Sequence, residues 1–204
     1  MRDFIYVYMK EPAVHVLGPG TRYVLWVQGC MQNCLGCIAE SAKNMEMGIP
    51  IKIDALAYEI VLSKADGITI SGGEPFLQAE ELSDLLSRIR AKRDMGVIVY
   101  TGYQYEDLLK DDAAKKLISN IDLLIDGPYI KELDDSKGLR GSSNQRTLFL
   151  TDRYKVYENA YGSEGREHET FYHGIYVHEI GIPNNKSIGE KKYEWQKDYI
   201  YNNI

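Results

Sequence analysis

The chain has 204 residues, the size of one domain with room for a modest appendage. Its 24 basic and 30 acidic residues give a net charge of −6, which argues against a nucleic-acid-binding module, because such modules carry a basic stripe. No apolar run reaches the ~18 residues of a membrane span, and the first residues lack the pattern of a secretory signal. We therefore expect a cytoplasmic protein that contacts neither membrane nor nucleic acid, and whose cysteines bind metal or take part in catalysis.

The hydrophobic pattern predicts strands and helices that alternate along the chain. Strands are expected at 3–9, 22–28, 67–71, 97–102, 121–127 and 146–151. Helices are expected at 53–62, with Asp54 as a cap, at 79–89, and at 105–118 with a break near Asp111. Residues 38–50 are predicted to be irregular. This alternation indicates an α/β fold with a largely parallel sheet.

The chain divides into two parts on this pattern. Residues 1–151 carry the alternating elements and are expected to form the core. Residues 152–204 form a C-terminal extension of unknown role, packed on or beside the core, in which 171–183 predicts a pair of strands. Such an extension either binds a protein partner or covers an edge of the sheet.

Distinctive segments follow four successive predicted strands. The cysteines follow the strand at 22–28, and the segments Ser71–Pro75, Tyr100–Tyr103 and Asp126–Pro128 end the next three. In parallel α/β folds, ligands bind at the carboxyl ends of the strands. The four segments are therefore predicted to meet in one site.

The three cysteines of the chain, Cys30, Cys34 and Cys37, all lie in one short loop. An odd number fits poorly with a disulfide framework. Structural zinc needs a fourth protein ligand, and no histidine stands at a usual zinc-finger spacing. The histidines concerned are His15, His168, His173 and His178. An iron–sulfur cube normally takes four cysteines, so three would leave one iron open to a small molecule. Zinc and inert buried thiols are the competing interpretations.

The spacing C-x-x-x-C-x-x-C resembles the cluster loop of the radical S-adenosylmethionine (SAM) enzymes. Ser71–Pro75 is similar to their Gly-Gly-Glu motif, which contacts the amino group of the methionine moiety. Several further segments resemble the anaerobic ribonucleoside-triphosphate reductase-activating proteins within that superfamily. They are Trp26–Gly29, Val99–Tyr103, Ile121–Tyr129 and Arg140–Arg146. The resemblance spans roughly residues 14–150.

This resemblance implies a partial, open β/α barrel of the radical SAM type that binds one 4Fe-4S cluster and SAM. The implied cluster ligands are Cys30, Cys34 and Cys37. The implied SAM contacts are Gly72, Gly73 and Glu74, with Thr101, Tyr103 and Asp126 as further candidates at the strand ends. No residue is assigned a role as acid, base or nucleophile.

The activity implied by the resemblance is the reductive cleavage of SAM to a 5′-deoxyadenosyl radical. That radical would abstract hydrogen from a glycine of a glycyl radical enzyme, the large subunit of an anaerobic ribonucleotide reductase. Because the chain has no second cysteine cluster, a flavodoxin or ferredoxin would supply the electron.

Two other functions are compatible with the sequence. One is a radical SAM maturase that modifies a peptide or a small molecule, with the extension as substrate adaptor. The other is a non-catalytic metal-binding interaction protein. Bound zinc without iron would favour the latter.

Overall fold

The structure, a computed structural model, describes residues 3–163, 165–174 and 176–183. It is a mixed α/β fold with a seven-stranded sheet and a two-stranded hairpin. The strands are β1 (Phe4–Val14), β2 (Arg22–Val27), β3 (Ile49–Lys52), β4 (Gly67–Gly72), β5 (Gly96–Tyr100), β6 (Leu123–Asp126), β7 (Arg146–Phe149), β8 (His168–His173) and β9 (Tyr176–Gly181). The α-helices are α1 (Ile53–Leu62), α2 (Ala79–Arg90), α3 (Tyr105–Leu108), α4 (Asp112–Ile118) and α5 (Glu158–Ser163). Short 3-10 turns cover Glu40–Lys43, Pro75–Gln78, Lys131–Leu133 and Asp152–Tyr157.

The strand order in the large sheet is β3-β1-β2-β4-β5-β6-β7. The central strands β2, β4, β5 and β6 are parallel, whereas β1, β3 and β7 pair antiparallel on either side. The predicted parallel sheet is thus confirmed for the centre. Because the parallel strands share one direction, their carboxyl ends lie along one edge of the sheet, where the four distinctive segments begin.

Side chains alternate between the two faces of the sheet, as the pleat requires. In β2, Tyr23, Leu25 and Val27 belong to the large core beneath α1, α2 and α4. Val24 and Trp26 point to the opposite face. Full burial of a large aliphatic side chain contributes about 1.5–3 kcal/mol, so the helix-covered face is the main source of stability.

The C-terminal extension covers the face opposite the helices. Tyr154, from the turn Asp152–Tyr157, packs against Ile98 and Leu123. Ile180 of β9 packs against Leu17 and Val24. The pair of strands expected at 171–183 is present as β8 and β9, and residues 184–204 of the extension lie outside the described residues.

The structure departs from the predicted elements at three places. The first strand, predicted at 3–9, extends to Val14 as β1. The end of the stretch predicted as irregular, 38–50, belongs to the edge strand β3 (Ile49–Lys52), which a four-residue segment containing Pro50 does not indicate in sequence. The prediction of Asp54 as the cap is wrong, because the N-cap of α1 is Lys52 and Asp54 pairs with Arg88 instead. The predicted break near Asp111 is confirmed, since Asp111 caps α4. No helix in the described part of the chain is long and apolar enough to cross a bilayer.

Arg22 is fully buried at the amino-terminal ends of the parallel strands. Its guanidinium donates to the carbonyls of Ile68 (2.6 Å) and Gly96 (3.1 Å). It also donates to Thr69 Oγ1 (3.0 Å) and to Tyr154 Oη (2.7 Å). A buried cation is costly unless its donors are engaged. Arg22 therefore fixes β4 and β5 at this end and joins them to the extension.

We expect the Arg22→Met variant to lose about 3 kcal/mol or more of unfolding free energy in urea, because several buried oxygens lose their donor. Lys155→Met is the control in the same turn of the extension as Tyr154. Lys155 pairs with the exposed carboxylate of Asp152, and a pair of this kind contributes about 0–1 kcal/mol. Equal, small losses in the two variants would contradict the proposed role of Arg22.

Candidate functional site

A cavity of about 210 Å³ lies at the carboxyl ends of the parallel strands. The strand-end residues in its lining come from all four segments singled out in the sequence. They are Cys30, Cys34, Cys37, Ser71, Gly72, Gly73, Glu74, Tyr100, Thr101, Gly102 and Gly127. The fold therefore gathers residues that lie about 100 positions apart in the chain into one site.

The cysteine loop is fixed at its start by backbone hydrogen bonds to the turn Glu40–Lys43. Gly29 N donates to Ala42 O (2.7 Å), and Cys30 N donates to Lys43 O (3.1 Å). The three thiols are free and half-buried. Across the described ranges, no group of three or more histidine, cysteine or acidic side chains already has a metal-ligating arrangement. The three cysteines line one cavity, so they are the residues that would hold a cluster.

Two of the three cysteine thiols, those of Cys30 and Cys37, have a raised pKa. Burial raises the pKa of Cys30, the hydrogen bond from Gln32 N opposes that shift, and the nearby Glu74 carboxylate adds to it. Burial also raises the pKa of Cys37, while the nearby Lys43 ammonium opposes that shift. A raised pKa makes a poor nucleophile, but a metal ion displaces the proton from such a thiol. The loop thus fits metal ligation better than nucleophilic catalysis.

Gly72 and Gly73 allow the end of β4 to lie directly against the start of the cysteine loop. Gly72 has φ +108°, and a Cβ there would lie 2.4 Å from the backbone of Val27. A Cβ on Gly73 would lie 2.1 Å from Gly29 O. The close approach permits two hydrogen bonds, from Gly73 N to Val27 O (2.8 Å) and from Glu74 N to Gly29 O (2.7 Å). Only glycine satisfies both positions.

The carboxylate of Glu74 is buried and joins β4 to β5. It accepts hydrogen bonds from Thr101 Oγ1 (2.8 Å) and from Gly102 N (2.8 Å) beyond the end of β5. It also accepts one from Phe76 N (3.0 Å). Burial raises the pKa of Glu74 to about 7, and the three donors oppose this shift. Because its oxygens have protein partners, Glu74 fixes the geometry of the site.

The further candidates Thr101, Tyr103 and Asp126 have different locations. Thr101 lines the cavity. Tyr103 lies outside the cavity lining and packs against the helix-covered core, although its pKa is raised by burial and by the charges of Glu74 and Cys30. Asp126 also lies outside the lining, because Arg146 Nε (2.9 Å) and Tyr105 N (2.8 Å) hold its carboxylate.

Sequence reasoning singles out the Tyr100–Tyr103 segment but does not place Tyr100, the last residue of β5, among the SAM contacts. Its side chain lines the cavity, and its hydroxyl is buried and has no hydrogen-bond partner within the described residues. Buried polar groups in native proteins nearly always have a partner, so we expect a water molecule or a ligand to supply one. The strand alternation was the available signal: Val97 and Val99 face the helices, which turns Tyr100 to the opposite face of the sheet.

The segment Arg140–Arg146 folds back against the end of β6. Gln145 accepts from Gly141 N (2.7 Å) and donates to Gly127 O (2.8 Å). Ser142 is fully buried, and its hydroxyl accepts from Ile130 N (3.1 Å). Gly141 and Gln145 line the cavity, so the segment is part of its wall and is not a solvated loop.

The raised pKa of Glu74 predicts that the stability of the cluster-free protein depends on pH. Its folded-state pKa of about 7 exceeds its ordinary value of 4.5, so the folded state binds this proton more tightly than the unfolded state. The associated stability is present below pH 4.5 and is lost as the pH rises to about 7, a change of about 3 kcal/mol. Glu74→Gln should flatten the profile of urea-unfolding free energy between pH 5 and 8.

The matched control for Glu74→Gln is Glu106→Gln. Arg146 lowers the pKa of the exposed Glu106 carboxyl to about 2, so this group does not titrate between pH 5 and 8. The Glu106 variant should keep the slope of the parent protein. A Glu74 variant that keeps the slope as well would show that burial does not raise this pKa.

Comparison with known proteins also indicates an iron–sulfur domain in this chain. Residues 16–148 match the family model of the 4Fe-4S single cluster domain. The anaerobic ribonucleoside-triphosphate reductase-activating protein of Enterobacteria phage T4 is 35% identical over 147 residues, which cover 69% of this chain and 92% of the phage protein.

Bacterial proteins of the same name give similar matches. The Escherichia coli (strain K12) protein is 35% identical over 145 residues, covering 66% of this chain and 92% of its own. The Haemophilus influenzae protein is 34% identical over 155 residues, which cover 71% of this chain and 96% of the Haemophilus protein. The chain therefore belongs to the family of anaerobic ribonucleoside-triphosphate reductase-activating proteins and carries a 4Fe-4S single cluster domain.

Proposed function

We propose that this protein is a radical SAM enzyme that activates an anaerobic ribonucleotide reductase by generating a glycyl radical on its large subunit. The observation that carries the proposal is the meeting of three cysteines and the Gly72–Glu74 segment in one cavity. The names of the relatives supply the class of partner. The fold class that goes with this function is the open β/α barrel of the radical SAM type.

Cys30, Cys34 and Cys37 are the proposed cluster ligands. Three thiolates would hold a 4Fe-4S cluster with one iron left without a protein ligand and open to SAM. When bound and reduced, such a cluster would supply the electron for the reductive cleavage of SAM. The protein's own contribution is to bind SAM, orient it and exclude water.

The Gly72–Glu74 segment is the proposed binding site for the methionine moiety of SAM. Its two glycines lack side chains, so the backbone is accessible to a ligand in the cavity. The Glu74 carboxylate already accepts hydrogen bonds from three protein donors and holds Thr101 and Gly102 in position. The backbone of this segment, and not the carboxylate, is therefore the proposed contact with SAM. Glu74 is therefore a positioning residue in this proposal. Tyr103 and Asp126, which lie outside the lining, are weaker candidates than Tyr100 for contacts with SAM.

The electron must come from another protein, because all three cysteines of the chain belong to the proposed cluster loop. A flavodoxin or ferredoxin is the proposed donor. The proposal includes the cytoplasm as the compartment, since the three thiols are free and cytosolic thiols are kept reduced.

Anaerobic reconstitution followed by electron paramagnetic resonance tests this function. The protein should bind about four irons, cleave SAM under reduction, and produce a doublet on a co-incubated reductase large subunit. A protein that binds zinc but no iron would contradict the proposal in favour of an interaction module. 5′-Deoxyadenosine formation without a radical on the reductase would favour the maturase.

Cys34→Ala should bind much less iron than the parent protein and lose SAM cleavage, with an unchanged circular dichroism spectrum because Cys34 lies in a loop outside the strands and helices. Met31→Ala is the control in the same loop, since Met31 is exposed and outside the cavity lining. Its iron content should equal that of the parent. Full iron loading of the Cys34 variant would remove Cys34 from the ligand set.

Tyr100→Phe should raise the dissociation constant for SAM by about five- to tenfold, because one hydrogen bond from a buried hydroxyl contributes about 1 kcal/mol. Equilibrium binding to the reconstituted protein measures this. The control is Tyr103→Phe, in a ring outside the lining, with less than a twofold change expected. Equal affinities for the Tyr100 variant and the parent would mean that water satisfies the Tyr100 hydroxyl.

A further inference from the structure

The C-terminal extension lies beyond the part of the chain that the family shares. The family match ends at residue 148. The phage protein is covered over 92% of its own length by a match that takes up only 69% of this chain. The hairpin β8–β9 therefore lies outside the region that matches the family model.

The hairpin contributes one wall of the cavity. Four consecutive residues at the end of β9, Glu179–Ile182, belong to the cavity lining. Leu17 and Trp26 line the cavity as well, and both pack in the small apolar cluster that contains Ile180 and Ile182. Without the hairpin, the cavity would be open to solvent on the side that these four residues occupy.

Burial of Ile180 fixes the hairpin against the sheet. Its side chain is 3% exposed and packs with Val14, Leu17 and Val24. Ile182, just beyond β9, is only partly buried and packs at the margin of this cluster. The wall is therefore continuous with the apolar face of β2 and is not a loosely attached surface loop.

Polar contacts hold the extension at two separate places. On the β1 side, His173 Nε2 lies 2.9 Å from Glu11 Oε2, and His15 Nδ1 lies 2.7 Å from Glu169 Oε1. Both pairs join β8 to β1 or to the residue that follows it. The hairpin is thus tied to β1, the neighbour of β2 in the sheet.

On the opposite side, Arg166 joins the extension to the loop that follows β6. Arg166 and Asp134 form an ion pair of 2.9 Å, with side chains 1% and 4% exposed. Arg166 also donates to Arg140 O (2.6 Å) and to Pro183 O (2.6 Å), directly after the cavity-lining residues. Breaking one partner of a buried pair is strongly destabilising, so this contact holds the end of β9 in place. The extension therefore spans the open face of the sheet between two fixed points.

We propose that the β8–β9 hairpin is a ligand-binding wall of the cavity, so that SAM bound there contacts the Ile180–Ile182 segment. This inference rests on the proposed function, in which SAM occupies the cavity. Binding sites of small molecules enclose most of the ligand surface, and the hairpin supplies the enclosure on one side. Since coupling between binding events is reciprocal, SAM binding and hairpin docking stabilise each other.

Hydrogen exchange on the full-length, reconstituted protein tests this coupling. With saturating SAM, peptides that contain the amides of residues 180–182 should exchange at least about fivefold more slowly than without SAM. Peptides from α4, which lies on the other face of the sheet, serve as the internal reference. Unchanged exchange at 180–182 with SAM bound would overturn the proposal.

Ile182→Ala tests the wall by affinity. Loss of apolar contact with the ligand should raise the dissociation constant for SAM about three- to tenfold. Val177→Ala is the matched control, because Val177 lies in the same hairpin, is 58% exposed and is outside the lining. Thermal unfolding of both variants verifies that the hairpin is still docked, which the partial burial of Ile182 makes the expected result.

The proposed function and the hairpin proposal can be contradicted separately. If the parent protein binds its cluster but no SAM, the proposed function fails, and the hairpin proposal fails with it. If the parent binds SAM and the Ile182 and Val177 variants bind it equally well, the hairpin only covers the sheet and the proposed function stands.

Discussion

The buried carboxylate of Glu74 is the interaction on which the arrangement of the site depends. It accepts hydrogen bonds from Thr101 Oγ1 and Gly102 N, and thereby holds the segment after β4 against the segment after β5. The adjoining peptide, Glu74 N, donates to Gly29 O next to the first cysteine. One residue thus connects three strand ends. The cost of burying its charge is visible in the raised pKa, and three donors offset that cost in part.

Several features of the site are predictable from sequence because they depend on local chemistry. The cysteine spacing, the paired glycines and the alternation of strands with helices are all short-range patterns. A parallel sheet then brings the strand ends to one edge by topology alone. For this reason, the meeting of Cys30, Gly72 and Thr101 in one cavity follows from the order of the elements.

Other features depend on contacts that short-range patterns do not reveal. Asp126 ends a parallel strand as expected, yet Arg146 lies opposite it in the antiparallel partner β7 and binds its carboxylate. Tyr103 lies outside the cavity lining, because its position depends on how the chain turns after β5. The hairpin residues that line the cavity lie more than 100 positions from the cysteines, and no motif marks them.

The amino and carboxyl ends of the parallel strands have different roles. At the amino ends, Arg22 binds neutral oxygens of β4, β5 and Tyr154 and stabilises the fold. At the carboxyl ends, glycines and half-buried thiols leave backbone and sulfur accessible. The extension contacts both ends, through Tyr154 and through Ile180. Its packing thus links the stability of the core to the enclosure of the site.

The proposed function requires that the three cysteines hold a cluster with one iron available to SAM. Mössbauer spectroscopy of protein reconstituted with iron-57, recorded with and without SAM, tests this requirement. The signal of a single iron should change on SAM addition while the other irons keep theirs. A spectrum that SAM leaves unchanged, with every iron already bound by the polypeptide, would rule out the proposed function.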